Sequence, residues 1–330
     1  MSPVIGWYAH HVGAGHVARA RLVGRRMRTP VVILSSAPRP PDWPAERWVA
    51  LPPDDGSGGD DHEAGGVLHW APLGHRGYGD RMAAVAAWVG RARPVMLVSD
   101  VSVEITLLVR ALGVPVAAVV MAGDRRDRPH QTGYDAATSL FAAWPDDVQP
   151  VVGWRTQWNA KTVHLGAFSR FDSSAVSPPP GDRRVTVLWG RGGTTVAADD
   201  IACAAAATPT WAWSVCDETD PERVLAQIQG AEVVVCHAGQ NVLAEVAAAR
   251  RRAVIVPEAR PHDEQHHLVV ALQSLGLATG LTTWPRPDEW EGLLEKAIPS
   301  PPESWSRWND GHGATRFAQA LDRTVTEVAS

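Results

Sequence analysis

Short apolar runs alternate along this chain with stretches whose apolar residues recur at helical spacing. Pro3–Tyr8 reads as a strand, Gly13–Gly15 as a glycine turn, and about His16 to Met27 as a helix. Further strands are predicted at Pro30–Leu34, Arg47–Leu51, Val67–Ala71, Pro94–Ser99 and Pro115–Met121, with helices at about Asp80–Arg91 and Val101–Leu112. The Asp/Gly-rich stretch Pro52–Gly66 reads as a loop. After the proline-stiffened text around Val176–Arg184 the pattern restarts. Strand Val185–Trp189, glycine turn Gly190–Gly193 and a helix from about Val196 to Ala207 open the second half. Strands at Thr210–Val215, Glu232–Cys236 and Ala253–Val256 come next, with helices at Pro221–Ile228 and Gln240–Arg250. The last helix, about Ala314–Val328, carries one apolar face.

Strands alternating with helices imply parallel sheets covered on both faces. Each half opens strand, glycine turn, helix. The expected fold class is therefore α/β: two doubly wound parallel-sheet, Rossmann-like domains facing one cleft, where ligands meet the carboxyl ends of the strands. A length of 330 residues agrees with about two domains. The expected divisions are residues 1–165, a linker at 166–184, a second domain at 185–312, and a helix at 313–330 that packs back on the first domain.

Composition narrows the function classes. Net charge is −5, which argues against a nucleic-acid partner. The longest apolar run, Gly113–Gly123, is strand-sized and far short of a membrane span, so at most peripheral membrane contact is expected. The N-terminus lacks a basic stretch followed by an apolar one, the mark of a secretory signal. Cys203, Cys216 and Cys236 are odd in number and unsuited to a disulfide framework or a zinc site. A cytoplasmic location is the expectation. There are 15 Trp against 4 Phe and 3 Tyr, a skew that hints at sugar stacking.

Four segments carry candidate chemistry. The turn Gly13-Ala14-Gly15-His16 fits the dinucleotide fingerprint in form, but Ser35 and Ser36 stand where its acidic residue belongs. Arg39 keeps a phosphorylated nicotinamide cofactor open. Two other readings are a base at a helix N-terminus, whose field favours neutral imidazole, and a plain turn capped by histidine. His10 and His11 end the first strand beside the same cleft, as packed side chains or as acceptor contacts. The turn Gly190–Thr195 lacks the Gly-Lys-Ser/Thr ending of a P-loop, leaving either an anion site with Arg191 adding charge or a simple turn. Strand Val233–Cys236 leads into His237-Ala238-Gly239-Gln240-Asn241 and a helix carrying Glu245, whose two oxygens suit a ribose diol or merely complement the helix dipole. The stretch Pro257–His267 is dense in acids, amides and imidazoles. Its glutamate falls one residue late for His-Glu-x-x-His, so no metal is expected there, and sugar hydroxyls are suitable partners.

The run from Ala231 to Leu272, with His-Ala-Gly-Gln-Asn, Ala-Glu, a Pro-ending strand and Asp-Glu-Gln, resembles the C-terminal domain of glycosyltransferase family 28. That family includes the N-acetylglucosaminyltransferase that completes the lipid-linked peptidoglycan precursor. The Gly-x-Gly-His turn is similar to its acceptor-side loop, and the domain order resembles the GT-B fold. The resemblance implies an acceptor-binding first domain and a nucleotide-sugar-binding second domain. It places Gly192, Gly193, Thr194, His237, Gly239, Gln240 and Asn241 at the donor phosphates, and Glu245 at the ribose. Asp263, Glu264 and Gln265 fall to the donor sugar, Val215 and Cys216 to the nucleobase. His16 becomes the catalytic base, with His11, Gly13 and Gly15 on the acceptor-side loop.

The same resemblance implies an inverting, metal-independent glycosyltransferase without a cofactor. It would move a hexosyl or N-acetylhexosaminyl unit from a nucleoside-diphosphate sugar, a UDP-sugar by expectation, to a small-molecule, glycan or lipid-linked hydroxyl. The turn also resembles that of nucleotide-sugar hydrolases of the pseudaminic-acid pathway. The alternative is accordingly a hydrolase or epimerase of the same fold in which His16 activates water.

Overall fold

The computed structural model describes residues 3–11, 15–55, 60–189 and 195–329. Its N-terminal part contains strands β1 (Ile5–Ala9), β2 (Val31–Ser35), β3 (Trp48–Ala50), β4 (Met96–Asp100), β5 (Val116–Val120), β6 (Gly123–Asp124), β7 (Ser139–Ala142), β8 (Val151–Val152) and β9 (Thr162–His164). Seven of these form one sheet in the order β3-β2-β1-β4-β5-β7-β9, while β6 and β8 pair apart from it. Every pairing is parallel. Helices α1 (Gly15–Gly24), α2 (Arg76–Ala92), α3 (Val103–Ala111) and α4 (Arg128–Ala136) cross between strands.

The C-terminal part repeats the plan with β10 (Arg184–Leu188), β11 (Ala212–Val215), β12 (Val233–Cys236), β13 (Arg252–Ile255) and β14 (Thr279–Gly280), ordered β11-β10-β12-β13-β14. Helices α5 (Ala198–Ala207), α6 (Pro221–Gln229), α7 (Gln240–Ala248), α8 (Glu264–Ser274) and α9 (Trp290–Ala297) cover it. Both sheets reverse strand order beside their first strand, between β1 and β4 and between β10 and β12. Such reversal points open a crevice at the carboxyl ends of the strands, so β1, β4, β10 and β12 deliver their last residues into the functional region.

The central strands β1, β4, β5 and β12 are buried along their whole length, as parallel strands covered on both faces must be. The tryptophans go mostly inside: Trp7, Trp144, Trp158, Trp290 and Trp305 are fully buried. The indole excess therefore builds core, not a row of sugar platforms.

The predicted strand Val67–Ala71 is a turn and bend instead. Its amides are already satisfied without a neighbouring strand. Val67 donates to the Glu63 carbonyl, Ala71 to that of His62, and His69 and Trp70 to the Glu104 carboxylate. The short strands β7 and β9 and helices α4 and α9 are not among the predicted elements. The sheet completes the two strands, Asp127 caps α4, and α9 seats Trp290 and Leu294 in the core.

Helix α10 (Gly313–Ala329) leaves the C-terminal part and packs on the N-terminal one. Its Phe317 lies with its ring centroid 5.2 Å from Trp7 and 4.4 Å from Phe141. The Asp322 carboxylate accepts from the backbone amides of Arg28 and Thr29. Phe317→Ala is expected to destabilise the protein by about 3–5 kcal/mol, measured by denaturant unfolding; a loss under about 1 kcal/mol would show that α10 is not a cohesive part of the first domain.

Candidate active site

The carboxylate of Asp100, the last residue of β4, is the centre of the cleft. It is fully buried, and it accepts from Arg19 Nη1 at 2.8 Å and pairs with His16 Nδ1 at 3.0 Å. Local backbone aims it there. Val101 is held at φ 70°, a left-handed conformation that a β-branched residue rarely adopts. Ser102 then caps α3 by accepting from the Ile105 amide. Strain of this kind, about 1–3 kcal/mol, persists only where surroundings enforce it. Burial opposes ionisation of Asp100, but Arg19 and His16 together outweigh it and hold the carboxyl below its ordinary range. An ionised Asp100 requires a proton on His16 Nδ1, which leaves Nε2 as the basic nitrogen.

Around this centre lie two more imidazoles. His10 stacks on His11 and meets His16 edge-on at 6.0 Å. Burial first, then the neighbouring His16, His11 and Arg81, push the pKa of His10 down to about 4. His11, which the resemblance puts on the acceptor-side loop, is partly exposed. It belongs to a buried network in which Arg81 binds Asp54 at 2.8 Å, the Tyr8 hydroxyl and the Ser36 hydroxyl, with His11 Nδ1 3.5 Å from the guanidinium.

The two parts of the chain meet at the N-termini of α1 and α7. Arg19 uses Nη1 for Asp100 and Nη2 for the side-chain oxygen of Gln240, 2.9 Å away across the cleft. A Cβ at Gly15 would stand 2.2 Å from Asn241 Nδ2, so a larger residue there would displace the Asn241 side chain. By helix geometry the first amides of α7 have no carbonyl within the helix and point into the same space.

The remaining donor-side residues divide into two groups. Asp263 is exposed and lines a cavity of about 600 Å3 with Thr195, Glu258, His266 and Trp284. Glu264 is half-buried; burial raises its pKa, against Arg125, Arg19 and His16, which face it and lower it. Glu245 is largely buried, and Oε1 is engaged by Arg170 Nε at 2.9 Å. Val215 ends β11 exposed, followed by the buried Cys216. Two of the assigned residues also have structural parts. Gln265 is buried, with its oxygen accepting from the amides of Ala238 and Glu258, so it braces two loops. His237 is likewise buried, and its Nδ1 accepts from the Gly239 amide, shaping the turn before α7. Gly13, Gly192, Gly193 and Thr194 lie outside the described residues.

Sequence reasoning missed Asp100, Arg19 and Arg170 as parts of this site. Arg19 had one signal, its place one helical turn after His16. Also unforeseen is a cluster where the chain's two halves approach: His69, Asp127, His130 and His262. Burial, then Arg125, drives His130 down to about 3, while Asp127 is held near about 2 by bonds from His130 and His69 that outweigh its burial.

Comparison with known proteins agrees with this geometry. Residues 222–284 match the family model described as the glycosyltransferase family 28 C-terminal domain. No curated protein sequence matches the chain. A crystal structure of the glycotransferase of kitacinnamycin superposes with a TM-score of 0.67 at 14% identity, covering 98% of this chain and 99% of that one. Acinetobacter baumannii MurG gives a TM-score of 0.66 at 13% identity, over 98% and 100% of the two chains. Phytolacca americana UGT2, solved with UDP-2-fluoro-glucose and pterostilbene, gives 0.66 at 13% identity over 100% of each. The fold is GT-B. A segment of its C-terminal part matches the glycosyltransferase family 28 model, and together the two findings support a glycosyltransferase enzyme.

Asp100→Asn would leave Arg19 buried without its counter-charge and is expected to cost about 3–5 kcal/mol in thermal or denaturant unfolding. Because the folded pKa of Asp100 is depressed, its stabilisation is present above the ordinary carboxyl value of about 3.9 and is lost as pH falls through the folded value. The wild-type advantage over Asp100→Asn should therefore persist at neutral pH and shrink in acid; an equal gap at all pH values would remove the charge from the explanation.

Proposed function

We propose that the protein transfers a hexosyl or N-acetylhexosaminyl unit from a nucleoside-diphosphate sugar to a hydroxyl acceptor with inversion at the anomeric carbon. The observation that carries this reading is the His16–Asp100 pair standing opposite the N-terminus of α7. The acceptor hydroxyl attacks the anomeric carbon and its proton passes to His16 Nε2. The bond from that carbon to the diphosphate oxygen breaks in the same step. Asp100 stabilises the imidazolium that forms, as the carboxylate does in any Asp-His pair.

Charge growing on the leaving diphosphate is met by the free amides at the start of α7 and by its dipole, so the phosphates need no metal. Glu245, held by Arg170, is assigned to the ribose diol through its remaining oxygen. Glu264 and Asp263 are assigned to the sugar hydroxyls, since Glu264 faces His16 and Arg19 electrostatically and Asp263 lines the adjoining cavity. UDP is the proposed nucleotide, in keeping with the UDP-sugar bound by the Phytolacca enzyme. The acceptor is a small molecule, glycan or lipid-linked alcohol. No helix among the described residues is long and apolar enough to cross a membrane, so a lipid-linked acceptor would be met at a surface.

His16→Ala should lower kcat by about 10²–10⁴-fold while UDP affinity, read by calorimetry, stays within about threefold. Near-wild-type turnover would remove His16 from the base role. Product analysis without acceptor distinguishes transfer from hydrolysis, because stoichiometric release of free sugar at the full rate would make water the natural nucleophile. Glu245→Ala should weaken UDP binding by roughly 10-fold or more, the loss of a charge-assisted hydrogen bond, and unchanged affinity would refute the ribose assignment.

A further inference from the structure

Three segments distant in sequence bring His69, Asp127, His130 and His262 together, with one potential ligand atom from each lying within 4.8 Å of all the others. His69 and Asp127 belong to the N-terminal part and His262 to the C-terminal part. Asp127 Oδ1 is 3.1 Å from His69 Nε2, and Oδ2 is 3.6 Å from His262 Nδ1. A tetrahedral zinc ion with bonds of about 2.0–2.1 Å sets its ligand atoms roughly 3.3 Å apart. His69 and His262 thus approach the two different oxygens of Asp127 at about that spacing, and the whole set lies within 4.8 Å, from which an entering ion would draw the ligand atoms together.

His130 has a different part. Arg125 Nη1 donates to its Nε2 at 2.9 Å, so the ring proton sits on Nδ1 and is donated to Asp127 Oδ2 at 2.6 Å. This is the arrangement by which an outer histidine orients a ligating carboxylate. Arg125 lies behind that ring and is tied to the carbonyls of Met121 and Ala122. Its charge opposes a bound cation, and the Asp127 carboxylate stands between the two.

Each inner residue is independently fixed. The backbone at His69 is held by the Glu104 carboxylate. Asp127 is the N-cap of α4. His262 sits at φ 62° and Asp263 at φ 51°, two successive left-handed residues, and the His262 carbonyl would be 2.3 Å from any Cβ at Gly123. Strain at two adjacent non-glycine residues, against a glycine that alone permits the approach, marks a conformation kept for a purpose.

We propose that His69, Asp127 and His262 bind a divalent zinc ion across the cleft, with His130 as the residue that positions Asp127. Two imidazoles and one carboxylate, with a fourth position for water or a hydroxyl, form a donor set suited to zinc. The ion joins the two halves of the chain next to Glu264, and does so apart from the diphosphate-facing turn at Gln240. The proposal does not rest on the transfer reading, because metal uptake is measured without substrate.

Full-length protein stripped with a chelator is titrated with Zn(II) alone, and Co(II) is added separately as a spectroscopic probe. One equivalent of Zn(II) is expected, with intense visible Co(II) bands of a four- or five-coordinate ion. His262→Ala and His69→Ala should each weaken uptake by roughly 100-fold or more, beyond the 10–100-fold expected for the outer residue in His130→Ala. His312→Ala, a control histidine away from the cluster, should leave uptake unchanged. If His262→Ala fails to fold, His262→Gln replaces it. Wild-type protein that takes up no Zn(II), or variants at His69 and His262 that bind it within threefold of wild type, would overturn the proposal.

Discussion

A buried carboxylate with two cationic or basic neighbours organises this protein. Asp100 cannot be sealed in the core alone, since an isolated charge there would cost far more than the fold can spare. Arg19 and His16 make its burial tolerable, and both come from α1, so α1 is locked against β4 in one rotation. The same arginine reaches Gln240, and one guanidinium thereby links α1 to the opposing domain. The strained Val101 and the Ser102 cap complete the constraint from the other side of β4.

The cleft is closed by contacts of several kinds. Arg19–Gln240 is a directed hydrogen bond, Gly15 against Asn241 is a close approach, and Gly123 against His262 is backbone on backbone. Helix α10 ties the C-terminus back to the first sheet through Phe317. Such fixation matters for group transfer, because two reactants held in near-attack geometry avoid most of the entropic cost of meeting. Closing the site also strengthens every charge interaction within it.

Much of the architecture was legible because parallel α/β folds write strongly periodic text. The strands β1, β4, β5, β10 and β12 come from short, largely apolar runs, and in the sequence a glycine-rich stretch stands soon after β1 and directly after β10, where a doubly wound sheet needs its loops. The segment Val67–Ala71 misled because apolar content alone does not say where amides find acceptors, and here Glu104 supplied one. Gln265 and His237 carry a structural part that the sequence does not announce. Their residue types suit a sugar or a phosphate, but the backbone amides of Ala238, Glu258 and Gly239 claimed them. A polar side chain beside a cleft is equally able to serve the loop that builds the cleft.

By itself the sequence determined two α/β halves, a histidine at the first turn and a family 28-like segment in the second half. Those features are local: they depend on periodicity, turn residues and a short contiguous motif. The tertiary structure alone decided that Asp100 partners His16, that Arg170 holds Glu245, and that histidines from three segments converge on Asp127. Apart from Asp127 and His130, the partners in these sets lie tens of positions or more apart, and only sheet order and helix docking bring them within bonding distance. Long-range pairing leaves no periodic trace in the chain, which is why the chemistry of the site had to be read from the fold.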